Sequence, residues 1–381
     1  MKEGLALSNG MQFTLAYGIY LHHQLSRLLK AATFVSAFTI QVMLGSDDPF
    51  GDEFQRLRPH PGACKIARWL NEYSAGSPIR ESHRAYHVDG EIQDPYNIRC
   101  TPQILGAAAE LLDDAKATFE IEANSATDNP LILKDSKTNT WTRIISGGHF
   151  HGMPLATRLY GLIQAASIIC SLSNNRSARY VDEARNKGLG NDLIWPTLSA
   201  EERSQSSGMM IPEYVSAALT NVVLGYSTPN HLYPISTDAG QEDHVSMATN
   251  LALKLYDLVP RVNEVLAIEL LFAYQGALIR KELAHLPSKH TVGSEHSEEV
   301  QKFTAYMKDQ ALTKLGADFE ISLKIKTTKS IPLSETKFSL PCEEVIRQLA
   351  TIVAPIIADR SLSQDIQKVA AFIASSELFN V

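Results

Sequence analysis

Hydrophobic residues recur at steps of three and four along most of this chain, the spacing that lines one face of an α-helix. The clearest stripe is Leu105, Ala108, Leu112, Ala115 and Phe119, with Glu110, Asp113, Asp114 and Lys116 turned away from it. The same spacing predicts long helices over 11–43 (with room for one break), over 212–224 with Pro212 in its first turn, and over 245–258 and 262–283, which Pro260 divides. Residues 153–172 are apolar enough to raise the question of a membrane span. Arg158 and Gln164 interrupt them and neighbouring segments are nearly as apolar, so a buried bundle helix is expected. No alternating strand pattern of useful length precedes the C-terminal third, where 319–328 (FEISLKIKTT) predicts a short strand or extended arm. Loops are expected at 45–62, 174–209 and 227–241. These elements describe an all-α protein of long antiparallel helices, with a helical core over 1–294 and a more polar peripheral region over 295–381.

Composition narrows the partners more than the fold. With 381 residues, 44% of them hydrophobic, 20% charged and a net charge of −7, the chain has ample material for a core. Neither nucleic acid nor an anionic membrane is a natural partner for such a surface. The four cysteines (Cys64, Cys100, Cys170, Cys342) are scattered without a CxxC pair, which argues against zinc and against a disulfide framework and points to the cytoplasm. Residues 1–5 carry no basic-then-apolar pattern, so no secretory signal is expected.

Four polar segments carry candidate chemistry. Ser8-Asn9-Gly10 sits at an expected helix start, where Asn9 serves either as an N-cap or as an amide donor to a ligand. In Gln93-Asp94-Pro95-Tyr96-Asn97-Ile98-Arg99, the proline opens a helix that puts Tyr96 and Arg99 on one face. Arg99 is there either as a solvated charge or as a planar fork for a carboxylate. Ser146-Gly147-Gly148-His149-Phe150-His151-Gly152 combines three glycines, which let a backbone approach a ligand, with an aromatic ring and two imidazoles. No carboxylate or cysteine is spaced to complete a metal site with them, and none is expected. Gln241-Glu242-Asp243-His244-Val245-Ser246-Met247 places Glu242 at an expected helix start, either favouring the helix dipole or recognising a basic group and accepting a proton.

Together these segments resemble the aromatic amino acid ammonia-lyases, most closely the histidine ammonia-lyase branch, over about 2–276. Supporting likenesses are Glu122-Ala123-Asn124-Ser125, Asp128-Asn129-Pro130-Leu131, Ser207-Gly208-Met209-Met210-Ile211 and Ala267-Ile268-Glu269-Leu270-Leu271. The resemblance implies the long helical bundle of the ammonia-lyase and fumarase-like superfamily. It also implies a tetramer whose active sites each draw on three subunits. For this chain it implies catalytic roles for Asn9, Tyr96 and Glu242, substrate contacts from Gln93, Arg99, His149 and Phe150, and contact of Asn9 and Phe150 with the prosthetic electrophile. The chain departs from the family at His149 and Gly240, both places where asparagine is usual.

A larger departure concerns that electrophile, a methylidene-imidazolone made from an internal Ala-Ser-Gly. The proton to be removed is barely acidic, so the reaction needs it. No Ala-Ser-Gly occurs in this sequence; Ser74-Ala75-Gly76-Ser77 has the wrong order. In the family the triad and a tyrosine base lie upstream of the Lys2-Glu3-Gly4 motif with which this sequence begins. The expectation is therefore the C-terminal portion of a lyase acting on a histidine-like amino acid, with the electrophile supplied by a missing segment or a separate chain in a homo- or hetero-tetramer. Aminomutase activity in the same pocket, chemistry without the prosthetic group, and a non-catalytic subunit assembling with a full-length paralogue are the alternatives.

Overall fold

The computed structural model describes residues 2–83, 93–285 and 336–381; the strand expected at 319–328 lies outside them. Five rods make the body: α2 (Gln12–Val42), α7 (Thr101–Ala123), α8 (Met153–Val181), α10 (Met210–Gly225) and α11 (Ala248–His285). Their relative directions follow from side-chain contacts. The Thr14 and Thr249 hydroxyls meet at 2.8 Å where α2 and α11 begin, and Arg280 Nε donates to the Val42 carbonyl at 3.0 Å where α2 ends. Arg158, early in α8, reaches Thr118 late in α7, and the Tyr160 hydroxyl donates to Ser227 just past the end of α10. Thus α2, α8 and α11 run together, and α7 and α10 run against them.

The predicted α7 stripe is buried at all five positions. The α2 helix shows no break, because residues 31–45 are buried on every side and neighbouring rods hold each turn. The helix expected at 153–172 continues to Val181, which shortens the loop expected at 174–209; that loop also carries α9 (Ala200–Ser204). By length and composition α8 and α11 are apolar enough to cross a membrane, yet both lie inside this bundle.

Two expectations are corrected. Pro260 does not divide two helices: α11 runs through it for 38 residues. The missing amide falls beside a groove lined by Tyr20, Tyr256 and Arg261, while Leu258, Val262, Val265 and Leu266 are buried on both sides of it, so packing overrides the local break. Strands also occur early in the chain, as an antiparallel hairpin of β1 (Leu131–Lys134) and β2 (Trp141–Ile145). Ile132, Leu133, Trp141 and Ile144 are exposed, so neither strand has the buried face that writes an alternating pattern. Its turn is set by Asp135, whose carboxylate accepts from the amides of Lys137 and Thr138.

Shorter helices flank the rods: α1 (Lys2–Asn9), α3 (Asp52–Arg56), α4 (Pro61–Ser74), α5 (Pro78–His83) and α6 (Tyr96–Arg99). The C-terminal residues form α12 (Leu340–Leu349) and α13 (Ser363–Ser375). Their attachment is reciprocal. The Gln41 amide exchanges hydrogen bonds with Ser339, Gln275 does the same with the Ile356 backbone, and Phe379 packs on Phe34 with ring centroids 5.7 Å apart.

At the centre, Arg176 of α8 forms a two-pronged ion pair with Glu269 of α11, Nε to Oε1 at 2.5 Å and Nη2 to Oε2 at 3.0 Å. Both side chains are essentially inaccessible. Thr39 of α2 donates to the same carboxylate at 2.9 Å, and Arg176 Nη1 donates to the Asn97 carbonyl of α6 at 3.3 Å. Removing one partner strands a buried charge, so Glu269→Ala is expected to cost roughly 3–5 kcal/mol in chemical denaturation. The double change Arg176→Met, Glu269→Leu removes both charges together and should lose much less.

Candidate active site

Three of the four polar segments meet at one end of the bundle. Gly152, which precedes α8, is wedged between the residue after Gly10 and the segment after Glu242. A Cβ placed on it would lie 2.3 Å from the Met11 methyl and 3.0 Å from Ser246 Oγ. A side chain there would have to push the Met11 tip aside. Next to it, His151 Nε2 donates to the His244 carbonyl at 2.7 Å, and the two imidazole rings lie 5.8 Å apart. The 146–148 turn is tied from the other side: Asn129 Oδ1 accepts from the Gly147 amide at 2.7 Å and from the Ser146 hydroxyl at 3.3 Å. His149 and Phe150 are thus displayed, both exposed, on a loop anchored at each end.

Two local expectations change here. Asn9 is not an N-cap; it is the last residue of α1, exposed, with its Oδ1 accepting from Ser8 at 3.3 Å. Glu242 does not start a helix, since α11 begins only at Ala248. It closes a tight turn in which Asp238, Ala239 and Gly240 all take positive φ, at 48°, 51° and 91°. For a residue with a Cβ such a conformation costs about 1–2 kcal/mol. Glycine and asparagine are among the few residues that adopt this region readily, so Gly240 in place of the usual asparagine preserves the turn. Across it Thr237 and Glu242 pair through both backbones, and the Thr237 hydroxyl donates to Glu242 Oε2 at 2.6 Å.

The fourth segment is elsewhere. In α6, Arg99 lies over the Tyr96 ring at 4.7 Å and spends Nε on the Asp94 carbonyl at 2.8 Å. Asp94 in turn accepts from the Ser46 amide at 2.7 Å, past the far end of α2, and Asn97 donates to the Asn175 carbonyl of α8. From Met153 to Asn175 is 22 helical steps, about 33 Å. Within one chain, then, Asn9, His149, Phe150 and Glu242 occupy one end of the rods, and Gln93, Tyr96 and Arg99 the other. Gln93 is exposed and Tyr96 is 68% exposed.

The grooves formed among the described residues do not include these side chains. One of 640 Å³ lies between α2, α4 and α7, beside His22, Trp69 and Lys116, and contains none of them. A hollow of 300 Å³ adjoins the Asn9 end, lined by Met11, Gln12, Leu15 and Glu122. Burial pushes the Glu122 carboxyl above its usual range. Among the described residues no cluster of three metal-binding side chains occurs.

The family pattern described as aromatic amino acid lyase matches residues 1–305, past the point at about 276 where likeness was expected to fade. The chain belongs to that family. Solved structures share the lyase fold. Histidine ammonia-lyase from Trypanosoma cruzi superposes with a TM-score of 0.73 at 26% identity, covering 99% of this chain and 58% of that one. Phenylalanine aminomutase from Pantoea agglomerans gives 0.77 at 24%, covering 100% and 64%. Tyrosine aminomutase from Streptomyces globisporus gives 0.76 at 22%, covering 99% and 63%. This lyase chain thus spans about three fifths of the length of those relatives.

Sequence reading found the segments of this lyase chain but missed how they are held. Met11, Thr237, His151 and His244 bind the first group together, and only the two histidines stood inside quoted motifs. Gly152→Ala is expected to push the flexible Met11 thioether aside, at a cost of no more than about 1 kcal/mol. It should also raise amide exchange in both 146–152 and 241–247. Gly148→Ala, with open space around it, should do neither.

Proposed function

We propose that this chain is the substrate-gripping portion of an ammonia-lyase acting on a histidine-like amino acid, in sites completed between copies. The observation that carries the reading is the separation of its two polar groups by the length of α8. A single copy cannot close both groups around one small molecule, whereas neighbouring copies set end against end can. Exposed apolar side chains along the rods, among them Phe13 and Tyr20 of α2, Tyr214 and Leu224 of α10, and Leu253 and Tyr256 of α11, supply surface for such an assembly, consistent with a tetramer.

In that site Arg99 holds the substrate carboxylate. Its Nε is already engaged by Asp94 and its face by Tyr96, so the terminal nitrogens are pre-oriented toward a planar anion. Gln93 and Tyr96 border the same carboxylate end. From the neighbouring copy, Glu242 faces the side chain, where a carboxylate favours imidazole over an apolar ring, and Phe150 and His149 line the approach. Loss of ammonia with the β proton leaves an arylacrylate.

No Ala-Ser-Gly lies within residues 1–381, so the electrophile comes from another segment or chain. The residues present suit such a group: Asn9 offers an amide donor, and the 40% exposed Phe150 an apolar face, at one end of the bundle. When bound, the group supplies the electron sink that makes the β proton removable. Intact masses of the complex purified from its natural source test this. A co-purifying chain lighter than its gene predicts by two molecules of water supports the reading; this chain alone, at its encoded mass, overturns it.

A second outcome is the return of ammonia at the β carbon, the aminomutase reaction. The aminomutase likenesses favour keeping it in view, and product analysis separates a β-amino acid from an arylacrylate.

Arg99→Ala is expected to abolish turnover while leaving assembly intact. Because Arg99 and Glu242 come from different copies, mixing Arg99→Ala with Glu242→Gln chains should restore roughly a quarter of the wild-type sites by random assembly. No recovery would place both residues in one chain's site.

A further inference from the structure

The turn that carries Glu242 has a feature that its place in the site does not require. Thr237 grips Glu242 three times: its amide donates to the Glu242 carbonyl at 3.0 Å, its carbonyl accepts from the Glu242 amide at 3.3 Å, and its hydroxyl donates to Oε2 at 2.6 Å. The Thr237 carbonyl also accepts from the Gly240 amide at 3.0 Å. The backbone pairing already closes the turn, so the side-chain bond is surplus to its shape. What that bond does is fix the rotation of a carboxylate that is otherwise exposed and free to swing.

We propose that Thr237 is a positioning residue that sets the substrate side-chain preference through Glu242; this rests on the reading of Glu242 given above. With Oε2 occupied by the threonine hydroxyl, Oε1 is the oxygen presented to the ligand, in one orientation instead of several. The preference falls on a ring that donates an N–H. An imidazole meets Oε1 with a hydrogen bond, and a phenyl ring leaves it desolvated and unpaired. The strained turn serves the same end. Three successive residues at positive φ bring position 242 back beside position 237 within five residues, so the donor and the carboxylate sit on one rigid loop and need no outside support. At Gly240 a Cβ would meet no atom within 4 Å, so glycine is there for its φ of 91° and not for space.

The test measures binding of imidazole acrylate and phenyl acrylate to the full chain in its native assembly by ligand-observed NMR, a readout independent of turnover. Four proteins are compared: wild type, Thr237→Val, Thr237→Ser and Glu242→Leu. Valine keeps the branched shape and the backbone clasp and removes only the hydroxyl. The expected result is a three- to tenfold loss of imidazole acrylate affinity in Thr237→Val, the range that one hydrogen bond spans. Phenyl acrylate binding should stay within about twofold, and Thr237→Ser should recover the preference. Equal loss for both ligands would mark Thr237 as a structural prop of the loop and overturn the inference. A preference lost in Glu242→Leu but kept in Thr237→Val would overturn it while leaving the role of Glu242 standing. Absence of any imidazole preference in the wild type, or one that survives the acceptor-free Glu242→Leu, would remove Glu242 from side-chain recognition and this inference with it.

Discussion

The ion pair between Arg176 and Glu269 is the contact on which the remaining geometry hangs. It lies where α2, α6, α8 and α11 come together, and each of those elements contributes a group to it. Two charges withdrawn from water are stable only when every lone pair and proton is matched, and here the matching partners come from four separate stretches of sequence. The pair therefore acts as a registration point. If α8 slid along α11 by one turn, the guanidinium would lose both the carboxylate and the Asn97 carbonyl. Hydrophobic contacts around it, including Tyr180 stacked on Phe272 at 5.6 Å, tolerate small slips far better than this network does.

That fixed register is what gives the two polar groups their meaning. α8 begins at Gly152, where Met11 and Ser246 close in, and near its other end Asn175 receives the Asn97 amide beside Arg99. Each group is built by loops that lean on the end of a rod and on one another. Among the described residues, the wide groove beside His22 and Trp69 belongs to neither. The polar residues of this chain are thus divided between the two ends of one rod, about 33 Å apart.

Much of this was legible from residue order. The stripe at Leu105 to Phe119 and the long apolar run from Met153 predicted α7 and α8 because a helix burying one face against neighbours writes a three-to-four spacing into its sequence. The motifs around Asn9, Arg99, Phe150 and Glu242 were legible through resemblance. What was hidden had no local signature. The hairpin at 131–145 has no buried face to alternate; Pro260 reads as a break because its tolerance depends on tertiary contacts; and Glu242 reads as a helix start because acidic residues suit one. Its true setting is a left-handed turn set by residues 237–240, a conformation to which only Gly240 gives a clue. The separation of Arg99 from Glu242 was equally invisible, since nothing in the sequence states that 22 residues of α8 stand between their surroundings.

The same helix makes the chain intolerant of a particular kind of evolutionary change. One residue inserted between Gly152 and Asn175 would advance everything beyond it by 1.5 Å and turn it by about 100°. Arg176 would leave Glu269, and the two ends would fall out of step in every copy at once. Substitutions along the exposed side of α8 can accumulate freely, but its length cannot drift. The helix is a ruler, and the spacing of the two polar ends is drawn to its measure.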